Sequence, residues 1–322
     1  MISKPFSALL VSLAVPAAAG DFRLEIPIDC DLGSDCYIQQ YVDHDTSDGY
    51  ADFLCSTLSY DGHKGTDFAL PDLARMAKGV SVLAAADGRV IATRRGMADV
   101  GYSAETAASV AGRECGNGIV IAHADGWETQ YCHLKAGSIS LAKGDQVKTG
   151  DRIGKVGLSG RSEFPHLHLS VRKNGAVIDP FSPNVTGACN AGQSTSLWKT
   201  PVKHRPGGII ALGFADHVPS FDAVKAGPKP NDTLPDSSNT VVVYAHAFGG
   251  QKGDRLHIKI EGPSGPLAEQ SFPVNSTKAR MFRAFGIKLR ADQWPHGTYT
   301  GTVELLRSDR VVSMKKTAIT VR

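Results

Sequence analysis

After its first twenty residues the chain has no apolar run that could cross a bilayer, and charge of neither sign dominates it. A helical span takes about 20 consecutive apolar residues, so the mature protein is expected to be soluble. A formal net charge of +3 over 322 residues does not suit a dedicated nucleic-acid surface, which concentrates lysine and arginine. No C-x-x-C pair occurs, which argues against a cysteine-ligated zinc site. The acidic run Asp43, Asp45, Asp48 and Asp52, beside Gly49, has no glutamate where a calcium loop would need its bidentate ligand; it reads as a solvated turn. Long charged helical runs are missing too, whereas glycine is abundant. Both point to β structure with many tight turns.

The first residues fit an export signal. Lys4 gives a short positive start, Phe6 to Val15 is apolar, and Pro16 breaks the run before Ala17-Ala18-Ala19 and Gly20, a small-x-small cleavage pattern. Export to an oxidising compartment would let the six cysteines pair. The expected pairs are the short loop Cys30–Cys36, Cys115–Cys132 within the central region, and Cys55–Cys189 joining that region's two ends.

Five segments follow from the pattern: a signal peptide at 1–19, a polar cysteine-bearing segment at 20–60, a central β domain at 61–185, a Thr-, Gly-, Ser-, Pro- and Lys-rich linker or wrapping segment at 186–208, and a final unit at 209–322. Within the central domain, Ser81 to Ala86 and Arg89 to Ala92 flank Asp87-Gly88, a hairpin signal. Gly118 to His123 and Trp127 to His133 flank Asp125-Gly126. Gly144-Asp145 and Gly150-Asp151 each read as a turn before a short strand. Residues 93–114 interrupt this rhythm as a loop of the kind that shapes substrate grooves. In the final unit, alternating runs at Thr240–Phe248, Arg255–Ile260, Phe282–Leu289, Thr298–Leu306 and Val311–Val321 predict an immunoglobulin-like β-sandwich. Its histidines, His246, His257 and His296, stand singly and suggest no chemistry.

The central domain holds the candidate chemistry. In His63-Lys64-Gly65-Thr66-Asp67, His63 and Asp67 would lie about 13 Å apart on a straight strand, too far to share an ion; Gly65 permits the bend that would unite them. In Pro165-His166-Leu167-His168, alternation places His166 and His168 on one face, about 6.6 Å apart. One imidazole can then bind a metal while the other reaches its water, and alternation does not say which. Tyr131 and His133 are expected to share a face opposite Cys132, and the glycines of Gly116-Asn117-Gly118 would let backbone approach substrate closely. Two histidines and a carboxylate form a ligand set for catalytic zinc that leaves a position for water. Further histidines suit proton transfer and oxyanion stabilisation. His123 reads as structural or groove-lining.

His63-x-Gly65-x-Asp67-Phe68, Tyr131-x-His133-Leu134 and Pro165-His166-x-His168 resemble, in order and context, the lysostaphin/LytM-type zinc metallopeptidases. The resemblance covers residues 61–181. It implies a mainly β fold, an antiparallel sheet with a groove, ahead of the C-terminal sandwich. It implies a periplasmic or secreted endopeptidase acting on the peptide stems of peptidoglycan, with Zn2+ on His63, Asp67 and His168 and with His133 and His166 assisting the reaction. The loop at 93–114 departs from lysostaphin, so a preference for glycine cross-bridges does not carry over. Two alternatives are a wall-binding or hydrolase-activating protein with an inactive site and a secreted peptidase acting on protein.

Overall fold

The structure, a computed structural model, describes residues 21–185, 189, 195–227 and 232–322. The export signal falls outside these residues, as does much of the first part of segment 186–208. Among the described residues no helix is long and apolar enough to cross a membrane.

The first half contains ten strands: β1 (Tyr37–Gln40), β2 (Thr66–Ala69), β3 (Ser81–Leu83), β4 (Gly88–Arg94), β5 (Asn117–Ala122), β6 (Trp127–Leu134), β7 (Gln146–Val147), β8 (Arg152–Lys155), β9 (His166–Lys173) and β10 (Ala176–Ile178). Eight of them form one antiparallel sheet in the order β1-β2-β9-β6-β5-β4-β7, with β10 on β9. The sheet's inner face carries Phe68, Val90, Ile119, Ile121, Tyr131, Leu167 and Leu169, all fully buried. Burying these side chains at about 1.5–3 kcal/mol each fixes the register, because a one-residue slip would turn every one of them outward.

Segment 20–60 reads as polar, yet Leu24, Ile28, Tyr41 and Leu58 are buried in the same core and β1 extends the sheet. The Asp87-Gly88 hairpin does not form. β3 pairs with β8 in a separate two-stranded sheet, while β4 pairs with β5 and β7. Ala84, Ala85 and Ala86 are buried, and the Asp87 carboxylate accepts from the Thr149 amide and hydroxyl, each at 2.8 Å. Here the turn signal serves a crossing between sheets. The end of segment 186–208 wraps the core: Leu24 donates to the Leu197 carbonyl, and Trp198 is buried.

All three disulfides form as expected, Cys30–Cys36, Cys55–Cys189 and Cys115–Cys132.

The second half has β11 (Gly208–Ala215), β12 (Thr233–Leu234), β13 (Thr240–Gly250), β14 (Arg255–Gly262), β15 (Gly265–Pro273), β16 (Lys278–Lys288), β17 (Gly297–Arg307) and β18 (Arg310–Val321). A three-stranded sheet, β11-β13-β16, and a five-stranded one, β12-β18-β17-β14-β15, enclose a second core around Val243, Leu256, Ile258, Val303 and Leu305. This is a β-sandwich with two more long strands than the alternation suggested, β11 and β15; β15 has no buried residue, and therefore no apolar stripe to read. The two halves touch. Phe248 and Ile210 belong to the first core, and Gln39 Nε2 donates to the Ala279 carbonyl at 2.8 Å.

Candidate metal centre

Cross-strand register puts Asp67 opposite His168 and Ala69 opposite His166. Opposed residues share a face, so β2 and β9 present Asp67, His166 and His168 together, away from the buried Leu167 and Leu169. His63 precedes β2, and the chain bends after it until His63 Nε2 lies 3.3 Å from Asp67 Oδ1. Gly65 is needed for clearance: a Cβ there would lie 2.6 Å from both His168 Nε2 and the Leu169 carbonyl oxygen.

β6 departs from the expected alternation. Cys132 lies opposite His168 and so shares the site's face, whereas Tyr131 points into the core and its hydroxyl accepts from the Ala85 amide. His133 would follow Tyr131 inward if the strand continued. Instead its φ is +61°, its amide donates to the Cys115 carbonyl, and its ring turns toward the site. A left-handed conformation costs a non-glycine residue about 1–2 kcal/mol, which the surrounding hydrogen bonds must offset.

Nearby backbone sets the imidazoles' protons. His63 Nδ1–H donates to the Tyr41 carbonyl at 2.6 Å, His133 Nδ1–H to the Ser159 carbonyl at 2.8 Å, and His166 Nδ1–H to the Phe164 carbonyl at 2.9 Å. A carbonyl only accepts, so each ring keeps its Nε2 lone pair free. His168 is reversed: Nε2 meets Ser170 Oγ at 3.0 Å and Nδ1 faces Asp67 Oδ1 at 2.8 Å. One ligand atom from each of His63, Asp67 and His168 lies within 4.8 Å of the other two. His166 Nε2 is 3.6 Å from Asp67 Oδ1, and the His133 ring centroid is 4.6 Å from that of His166. The second group of metal-capable residues among those described, Cys30, Asp35 and Cys36, has both sulfurs in a disulfide.

The site is electrostatically asymmetric. Burial pushes the Asp67 carboxyl up, but the charges and hydrogen bonds of His63, His166 and His168 outweigh it and hold Asp67 well below the usual carboxylate range. His133 sits well below the usual imidazole value because it is buried and lies beside His166 and His168. His166 is lowered chiefly by burial, against the pull of Asp67. His63 goes the other way: burial opposes its protonation, yet Asp67 raises it.

Residues 61–180 match Peptidase family M23. All five site residues fall inside this matched segment. Over 120 residues it is 40% identical to DD-carboxypeptidase/endopeptidase Mpg of Neisseria meningitidis, covering 37% of this chain and 22% of that protein. Over 123 residues it is 33% identical to peptidoglycan DD-endopeptidase ShyA of Vibrio cholerae, covering 38% and 23%. The match thus spans less than a quarter of either relative's length. The lysostaphin catalytic domain of Staphylococcus simulans is 27% identical over 37% of this chain and 76% of its own, with a TM-score of 0.27.

The Gly116-Asn117-Gly118 turn braces the surrounding protein. Gly116 (φ +63°) lies so close to Ser159 and Gly160 that a Cβ would meet their backbone within 2.4–2.6 Å. The Asn117 side chain donates to the carbonyls of Met97 and Leu134, and its amide donates to Ser159 Oγ. These bonds tie the 93–114 loop to the segment that accepts from His133. His123 is structural, held between the Asp87 carbonyl and Thr129 Oγ1. Ser159, Ser162 and Ser170, which support the site histidines, went unnoticed in the sequence. Only Ser170 carried a signal, two residues beyond His168 on the same strand face. A cleft of about 250 Å³ adjoins His63 and is lined by Gly62, Lys64, Asp43 and Asp179 among others.

Proposed function

We propose that this protein is a zinc metalloendopeptidase that hydrolyses peptide cross-links of peptidoglycan in the periplasm or outside the cell. The observation that carries the reading is the convergence of His63, Asp67 and His168 with two further imidazoles beside them, His166 with Nε2 3.6 Å from Asp67 and His133 with its ring 4.6 Å from that of His166. The donor set fits zinc: two imidazole nitrogens, each ring oriented through its other nitrogen by Tyr41 or Ser170, and one ionised carboxylate, with room in the coordination shell for water. When bound, the ion supplies a Lewis acid that polarises the scissile carbonyl and lowers the pKa of a water toward neutrality.

The chain's own groups do the rest. His133 or His166, kept neutral by burial, is the base that takes a proton from water at Nε2. Either then returns it to the leaving amine, so no covalent enzyme intermediate forms. Whichever ring has taken the water proton can hydrogen-bond with it to the developing oxyanion before passing it on. All six cysteines are paired, which removes them as nucleophiles and suits an oxidising compartment. The peptide-stem substrate is supported by the similarity to the peptidoglycan endopeptidases Mpg and ShyA; the cleft beside His63 offers space for a chain.

Digestion of purified muropeptides and of casein side by side, with mass spectrometry of the products, tests the reading. Cleaved stem peptides, lost on chelation and regained with zinc, are expected. Casein fragments alone would indicate a peptidase of protein substrates, and no cleavage of either by zinc-loaded protein would indicate a binding or activating role.

A further inference from the structure

Arg280 belongs to β16 in the sandwich, yet its guanidinium carbon lies 4.9 Å from the ring centroid of Phe164. Phe164 holds His166 in two ways. The rings stack with centroids 4.5 Å apart and planes 26° apart, and the Phe164 carbonyl accepts the Nδ1–H of His166. Ser162 Oγ donates to the same carbonyl at 2.7 Å. Arg280 is itself fixed. Its Nε donates to His246 Nε2 at 3.2 Å; His246 is fully buried, and burial, aided by the charges of Arg280 and Lys225, lowers its pKa to about 3, so it stays a neutral acceptor. The neighbouring carbonyl, that of Ala279, accepts from Gln39 on β1, and β1 borders β2, which carries Asp67. The arm is thus braced at its root, at its Nε and at its tip.

We propose that Arg280 is a positioning residue for the hydrolytic site: reaching in from the sandwich, it clamps Phe164 and so holds the His166 imidazole with Nε2 toward Asp67. A cation over an aromatic face gains from the ring's quadrupole, and a ring held on one neighbour restricts rotation of the other it stacks on. Phe164 is half-buried on a connecting segment and packs against the edge of the first core, and the guanidinium covers its ring from the sandwich side. The inference rests on the reading of His166 as a proton-transfer group.

The test uses the full chain with Arg280→Ala, Arg280→Lys, Phe164→Ala and the double variant. With zinc and a soluble muropeptide, Arg280→Ala is expected to lower kcat about tenfold, the rate equivalent of one cation–π contact. KM and bound metal should hardly change, which marks lost positioning rather than lost binding. Arg280→Lys keeps a cation over the ring and should recover most of the rate. The double variant should be no worse than Phe164→Ala alone, because both act through one contact. An independent readout is the Nδ1–H proton signal of His166 in metal-free protein labelled with 15N-histidine, assigned through His166→Gln. It should be sharp in the parent, broadened in Arg280→Ala and restored in Arg280→Lys. Should Arg280→Ala not fold, Arg280→Met, which keeps most of the stem, carries the same expectations. An unchanged kcat with an unchanged His166 signal overturns the proposal, as does a rise in KM alone. If the parent cleaves no muropeptide, the enzymatic reading fails, and the His166 signal still decides whether Arg280 orders that ring.

Discussion

Three side chains that face one another through ligand atoms and two that bring lone pairs beside them should respond differently to removal. Replacing His63, Asp67 or His168 by alanine takes away one of the three proposed protein ligands, so bound zinc and activity should be lost together. Replacing His133 or His166 leaves the three ligands in place; zinc should stay while turnover falls by at least about 10²-fold. Metal analysis of the five purified variants, read beside their rates, checks this, and zinc lost from His166→Ala but kept by His168→Ala would reverse the assignment. Alternation placed His166 and His168 on one face correctly, because β9 is regular. It misplaced His133, because the decisive feature is a backbone angle, φ +61°, that histidine adopts only under the constraint of its neighbours. That strain has a measurable consequence. Glycine tolerates a positive φ and alanine does not, so His133→Gly should be more stable than His133→Ala by about 1 kcal/mol in urea unfolding. Equal stabilities would mean the conformation relaxes once the imidazole is gone.

At the level of elements, the segments with period-two alternation and one buried face were the legible ones, among them the β5–β6 hairpin, the turns before β7 and β8, and five long strands of the sandwich. Asp87-Gly88 misled because a turn signal reports local geometry and not which strands pair. The three alanines before it are buried, and the chain crosses between sheets. The 93–114 loop and the Cys115–Cys132 bridge form a second case, where spacing suggested a pairing but not its purpose. The bridge ties the end of the loop to β6 next to His133, whose amide donates to the Cys115 carbonyl. Replacing both cysteines by serine should therefore destabilise the protein by about 2–4 kcal/mol and reduce turnover, with His63, Asp67 and His168 still holding metal. Thermal unfolding with zinc analysis tests this. Thiol titration of the denatured, unreduced parent should meanwhile find no free cysteine.

Across the whole molecule, the join between the halves was the least visible feature in the sequence. A composition shift near residue 209 marks where one pattern ends, but long-range contacts such as Tyr37 on Phe248 (ring centroids 4.6 Å apart), Gln39 to Ala279 and Arg280 on Phe164 have no local signature. Ile210 and Phe248 complete the first core, so the halves share apolar surface as well as hydrogen bonds. A chain ending at Lys203 would keep every candidate ligand and both candidate proton-transfer histidines while uncovering Tyr37 on the edge strand, whose ring packs on Phe248. At about 1.5–3 kcal/mol for each large apolar side chain left exposed, it should unfold at a clearly lower temperature than the parent. It should still bind zinc, since no ligand comes from the sandwich. It should also cleave soluble muropeptides about tenfold more slowly, the loss expected from removing the Arg280 contact alone. Calorimetry, metal content and the rate measured together separate the contributions. A folded, zinc-loaded truncated chain with full activity would make the sandwich a bystander to the chemistry, and one with no activity at all would mean that it supplies more of the site than a single braced side chain.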